Sequence, residues 1–167
     1  TMVANIVQSV SLATQDSDEG CLFSKILVAE DSMFNRKMMR KALEKYSIDI
    51  DMVENGVQAV EAVRRCADNQ AHPYDIIFMD SLMPVMNGIE ATTIIIKELN
   101  FPNPVIAVTG NMLPEDVRNF ESAGVLTVLG KPLDLDKLHE VLTGMFMSVR
   151  CMEDFILYIY VSNVTCN

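Results

Sequence analysis

"IIFMDSLMPVMNG" (residues 76–88) is the stretch that decides the fold. Four apolar residues run without a polar break into Asp80, and a loop with Met83-Pro84 and Asn87-Gly88 follows. A short apolar run bounded by turn residues is the signature of a strand buried on both faces. A carboxylate at the end of such a strand is costly unless something pairs with it. The rest of the chain must therefore supply a compensating group.

Working outward, the same texture recurs. "KILVA" (25–29) is a β-prone run ending in Glu30-Asp31, and "SMFNRKMMRKALEKY" (32–46) follows with Met39, Leu43 and Tyr46 on one helical face, Met38 and Ala42 beside them. "IDIDMV" (48–53) alternates as a half-buried strand, Asn55-Gly56 breaks it, and residues 57–68 are helical with Val60, Val63 and Ala67 aligned. The third strand is placed at 74–79. A helix near 89–99 turns Ile95, Ile96 and Leu99 inward until Pro102 and Pro104 stop it. "VIAVT" (105–109) is the fourth strand. Pro114 opens a helix with Glu115 and Asp116 in its first turn, where they suit the positive end of the dipole. "VLTVL" (125–129) is the fifth strand, and residues 134–147 form a last helix through Leu135, Leu138, Leu142 and Met145. Five β-α units predict an α/β fold with a parallel sheet covered on both faces. Functional groups then gather beyond the carboxyl ends of the strands.

Composition narrows the chemistry. The 167 residues carry a formal net charge of −10, which argues against a nucleic-acid partner and suits a site that holds a cation. Four cysteines stand far apart without zinc spacing, and the two histidines, His72 and His139, are isolated. Reduced thiols and a cytoplasmic setting are the expectation. The longest apolar run, 155–161, is too short for a membrane span, so no membrane contact is expected.

The strand ends carry Glu30-Asp31, Asp80, Thr109-Gly110 and Gly130-Lys131-Pro132, with the second strand at an edge. Each alone has an ordinary explanation, such as a helix cap or a turn. Their coincidence on one rim does not. Clustered carboxylates raise one another's pKa, and a hard divalent cation removes the conflict. Mg²⁺ suits this set: Asp31 and Asp80 directly, Glu30 through a water. Lys131 and Thr109 add a mobile charge and a hydroxyl that would neutralise a transferring phosphoryl group, with an aspartate as nucleophile.

The motifs "LVAED" (27–31), "FMDSLMPVMNGIEA" (78–91), "VIAVTGN" (105–111) and "GKPLDLDKL" (130–138) resemble the response-regulator receiver domains of two-component phosphorelays, most closely those attached to hybrid histidine kinases. The resemblance implies a flavodoxin-like (βα)5 fold with strand order 2-1-3-4-5 over residues 25–147. It implies that Asp80 is the phosphoacceptor and that Mg²⁺ is held by Asp31, Asp80 and the backbone carbonyl of Leu82, with Glu30 completing the acidic pair. Thr109 would be the switch hydroxyl, Lys131 the conserved-type lysine, and Lys131-Pro132 a cis peptide. The domain would catalyse phosphoryl transfer onto itself, and its hydrolysis, rather than a metabolic reaction. Its partner would be a histidine kinase or a histidine-phosphotransfer protein, received on the first helix. Phosphorylation would reshape the face of helix four, strand five and helix five, where a homodimer is also expected.

The sequence departs from the family pattern at Val128, where an aromatic residue usually stands three places before the lysine, and at Asn87, where aspartate is commoner. Leu82 and Asn111 fall two residues past Asp80 and Thr109, at positions bordering the phosphoryl group, and Leu82 points to a long-lived phosphoaspartate. A receiver that serves only as an interaction module, a haloacid-dehalogenase-like phosphatase and a flavodoxin-like binding module are the competing readings. The phosphatase would need an acid at Leu82, and the binding module a Ser/Thr/Gly-rich loop at Glu30-Asp31-Ser32. Residues 1–24 read as a linker. Residues 148–167 read as a helix extension or dimer contact.

Overall fold

Short apolar runs and amphipathic segments alternate strictly, and in the computed structural model each becomes a strand or a helix. The structure describes residues 25–68 and 74–145. The expectations for the linker 1–24, for His72, for Cys21, Cys151 and Cys166, and for the tail 148–167 lie outside those residues. In chain order the elements are β1 (Lys25–Ala29), α1 (Met33–Glu44), β2 (Asp49–Val53), α2 (Gly56–Asp68), β3 (Ile76–Asp80), α3 (Gly88–Thr93), β4 (Val105–Thr109), α4 (Pro114–Ala123) and β5 (Thr127–Gly130). A fifth helix, α5, covers residues 135–145. The strands form one parallel sheet in the order β2-β1-β3-β4-β5. This is the flavodoxin-like arrangement the motifs imply. No helix among the described residues is long and apolar enough to cross a membrane.

Strand periodicity divides the core in two. Ile26, Val28, Ile76, Phe78, Ile106 and Val108 point to one face, where Met39 and Leu43 of α1 and Leu138 and Leu142 of α5 cover them. Leu27, Ala29, Ile77, Met79 and Val105 point to the other, against Ala59, Val60 and Val63 of α2, Ala91 of α3 and Ile95 in the turn that follows it. β1, β3 and β4 are therefore apolar at nearly every position, and β3 is buried along its whole length.

Several boundaries and faces differ from the sequence expectation. Met38, Ala67 and Leu135 are exposed rather than inward. Met38 and Leu135 lie off the stripe that meets the sheet, and Ala67 sits in the last turn of α2. The expected helix over 89–99 is α-helical only to Thr93 and then widens into a π-helix, Ile94–Glu98. The wide turn keeps Ile95 fully buried while Ile96 lies against Gly124. β5 begins at Thr127, two residues later than expected. Gly124 closes α4 in the left-handed region at φ 105°, and the amide of Val125 bonds back to the carbonyl of Phe120. Val125 is thus spent on capping the helix.

The loop after β3 is tied down at both ends. Gly88 donates its amide to the carbonyl of Ser81 at 3.0 Å. A Cβ at Gly88 would lie 1.9 Å from the carbonyl oxygen of Asp80, so no other residue fits there. Asn87 does more than turn the chain: it is the N-cap of α3, in a reciprocal capping box with Glu90.

Candidate functional site

Sheet register builds the site. Ala29 pairs with Met79, so Glu30 and Asp80 emerge side by side one residue later. Asp80 pairs with Val108, and Thr109 pairs with Gly130, which brings Lys131 onto the same rim. The Lys131–Pro132 peptide is cis. Carboxylate atoms of Glu30, Asp31 and Asp80 all lie within 4.8 Å of one another.

These acids are not equivalent. Glu30 and Asp80 are 3% and 4% exposed, whereas Asp31 is open to solvent. Lys131 Nζ lies 2.6 Å from Glu30 Oε2 and 2.9 Å from Asp80 Oδ2. Glu30 is held further by Asn35 Nδ2 at 2.8 Å and by the amide of Ser32 at 3.3 Å. Asp31 has no hydrogen-bond or ion-pair partner for its carboxylate among the described residues. It does not cap α1 either, because Ser32 takes that role by accepting from the amide of Asn35. One lysine thus serves two of three clustered carboxylates.

The imbalance shows in the titration of Asp80. Burial pushes its pKa above the ordinary carboxylate value. The hydrogen bond from Lys131 and the amide of Leu82 oppose that rise, and the charge of Glu30 adds to it. Lys131 moves the other way from a simple buried amine. Burial alone would lower its pKa, but bonds to Glu30 and Asp80 raise it, so it stays charged.

Thr109 is buried on the rim, and its hydroxyl bonds to Ser81 and Asn111 rather than to the acids. Its Oγ1 lies 2.8 Å from Ser81 Oγ, accepts from the amide of Asn111 at 3.0 Å and donates to the carbonyl of Asn111 at 3.2 Å. The side chain of Asn111 donates to the Asp116 carboxylate. The Leu82 side chain is 75% exposed. Val128 of β5 pairs with Ala107 of β4 and is half-buried.

Three residues at the site escaped the sequence reading: Asn35, Arg36 and Ser81. Arg36 Nη1 donates to the backbone carbonyls of Glu30 and Asp31 at 2.7 and 2.8 Å, and Nη2 pairs with Glu54 at 2.7 Å. It fixes the end of β1 on which both acids stand. The available signal was position: Asn35 and Arg36 occupy the first turn of the helix that follows the acids, close enough to reach back.

The acid set fits a hard divalent cation. Two buried carboxylates share a single lysine beside a third, exposed and unpartnered one, and a cation would remove the excess negative charge.

Residues 26–143 match the response regulator receiver domain family. A two-component response regulator of rice, ORR41, is 39% identical over 120 residues, covering 71% of this chain and 91% of the rice protein. The autoinducer 2 sensor kinase/phosphatase LuxQ of Vibrio vulnificus is 33% identical over 118 residues, but the match spans only 13% of that much longer protein. Among solved structures, the receiver domain of a Pseudomonas aeruginosa sensor histidine kinase, with a magnesium ion in its active site cleft, superposes with a TM-score of 0.62 at 32% identity. It covers 72% of this chain and 94% of that one. The Saccharomyces cerevisiae Ssk1 receiver domain, in complex with the histidine phosphotransfer protein Ypd1, gives 0.63 at 27% identity over 73% and 89% of the two chains. Fold, acid set and sequence therefore agree: this chain belongs to the response regulator receiver domain family of two-component signalling.

Proposed function

We propose that this chain accepts a phosphoryl group from a phosphohistidine onto Asp80 and passes on a two-component signal. One observation carries the reading. Asp80 is a nearly buried carboxylate at the end of the central strand, with Lys131 bonded to it and the unpartnered Asp31 beside it.

In the transfer, a carboxylate oxygen of Asp80 attacks phosphorus. The P–N bond of the donor breaks, and the imidazole nitrogen leaves with the electron pair. Asp31, Asp80 and the carbonyl of Leu82 are the residues that would hold Mg²⁺, with Glu30 through a water. The bound ion would screen charge on the phosphoryl oxygens. Lys131 already spans Glu30 and Asp80. It can turn from the carboxylate to a phosphoryl oxygen while keeping its bond to Glu30. Thr109 supplies a hydroxyl to a second oxygen once it leaves Ser81. The donor is a histidine kinase or a histidine-phosphotransfer protein, as the yeast complex illustrates for its own receiver.

The product is expected to be long-lived. Leu82 is apolar and offers no group to orient attacking water two residues past Asp80. The test is transfer of labelled phosphate from a phosphorylated histidine-phosphotransfer protein with Mg²⁺. Wild type should take the label and hold it, and Asp80→Asn should take none. Equal labelling of both proteins overturns the assignment of Asp80.

A further inference from the structure

Ser81 is a polar side chain of the rim that phosphoryl acceptance leaves unused. Asp80 pairs with Val108, so Ser81 and Thr109 follow as neighbours on adjacent strand ends, with their hydroxyl oxygens 2.8 Å apart. A hydroxyl has one hydrogen to donate and two lone pairs to accept with. Thr109 takes the Asn111 amide hydrogen, and its single hydroxyl hydrogen is shared between two acceptors within reach, the Asn111 carbonyl and Ser81 Oγ, while Ser81 can in turn donate to it. The Thr109 side chain is fully committed, and at 1% exposure it has no water to exchange with. Before Thr109 can donate to an oxygen near Asp80, it must withdraw its hydrogen from this Ser81–Asn111 arrangement and turn away from Ser81. Val128 carries neither ring nor hydroxyl that could hold Thr109 in place of Ser81.

We propose that Ser81 is a positioning residue that holds Thr109 in its resting orientation, so that the Ser81–Thr109 hydrogen bond sets the threshold for the switch. The inference rests on the phosphoacceptor reading and deepens it. Removing the Ser81 hydroxyl removes a bond made only in the resting state, which shifts the equilibrium toward the switched one. The experiment titrates the protein with beryllofluoride and Mg²⁺, followed by NMR of the Thr109 methyl group, in wild type, Ser81→Ala and Ser81→Thr. Ser81→Ala should bind beryllofluoride about five-fold more tightly, the size expected for loss of one ordinary hydrogen bond. Its Thr109 methyl signal should already lie toward the bound position before any ligand is added. Ser81→Thr, which keeps the hydroxyl, should match wild type, and the affinity for Mg²⁺ alone should be the same in all three. Unchanged or weaker beryllofluoride binding by Ser81→Ala defeats this inference alone, as does Ser81→Thr behaving like Ser81→Ala. Failure of wild type to bind beryllofluoride defeats the phosphoacceptor reading and, with it, the inference.

Discussion

Two lysine–carboxylate clusters stand at opposite ends of the sheet, and they are built to different rules. At the amino end, Lys25 Nζ lies 3.0 Å from Asp51 Oδ2, and Tyr74 donates its hydroxyl to the same carboxylate at 2.7 Å. The Asp51 carboxylate thus has both an ammonium and a hydroxyl to itself. Burial alone would raise the pKa of Asp51, but Tyr74 and Lys25 outweigh it and hold the carboxyl below its ordinary value. At the carboxyl end one lysine serves two nearly buried acids, with a third beside them, and burial leaves Asp80 above its ordinary value. The first cluster is satisfied as it stands. The second is complete only with a further positive group, and that unmet demand marks a functional site more clearly than charge density does.

The largest test of this contrast removes each lysine. Lys131→Ala leaves Glu30 and Asp80 buried together with no cation, and should cost about 3 kcal/mol of stability in metal-free buffer. Lys25→Ala should cost only about 0.5 kcal/mol, because side chains that are 31% and 45% exposed stay well solvated. Urea unfolding with a chelator present measures both. Comparable losses would erase the distinction between the two ends.

A second test reverses the sign. Asp80→Asn takes away a charge that the fold disfavours and leaves Lys131 in a balanced pair with Glu30, so the metal-free protein should gain about 1 kcal/mol. Asp51→Asn breaks a balanced pair and should lose about 1 kcal/mol, the worth of one charge-assisted hydrogen bond in partial solvent. Added Mg²⁺ should raise the melting temperature of wild type and leave that of Asp80→Asn nearly unchanged. Calorimetry with and without the ion reads all three. A loss of stability in Asp80→Asn would show that the rim is paired as well as the amino end.

How far the two ends could be read from sequence follows from the same difference. Apolar runs that stop at acids, at Thr109 and at Lys131 mark the rim directly, because strand order brings every strand end there, and those residues do stand where the pattern places them. The amino end was silent. Lys25, Asp51 and Tyr74 meet through side-chain reach across strands, which no periodicity encodes. The same blindness hid Arg36 and Ser81, whose partners lie on other segments. The π-helix was illegible for another reason: three consecutive isoleucines fit α and π turns alike, and only packing of Ile95 and Ile96 decides between them.

The smallest effect concerns pH and belongs to the amino end alone. The pKa of Asp51 is lower in the folded chain than in the unfolded one. On acidification the unfolded chain takes up the proton first, so the folded state loses ground. The stability that Asp51 contributes is therefore whole above the ordinary carboxylate range and disappears as pH falls through the lower, folded value. Subtracting the stability of Asp51→Asn from that of wild type should give a difference that is flat from neutral pH to about 5 and closes below about 4. Tyr74→Phe should move that closure toward the ordinary carboxylate value, since the tyrosine hydrogen bond is the largest single influence opposing burial at Asp51. Denaturant midpoints across the acid range supply the curve. A difference that widens toward low pH would mean that Asp51 is raised rather than lowered, and the amino end would then share the unmet demand of the rim.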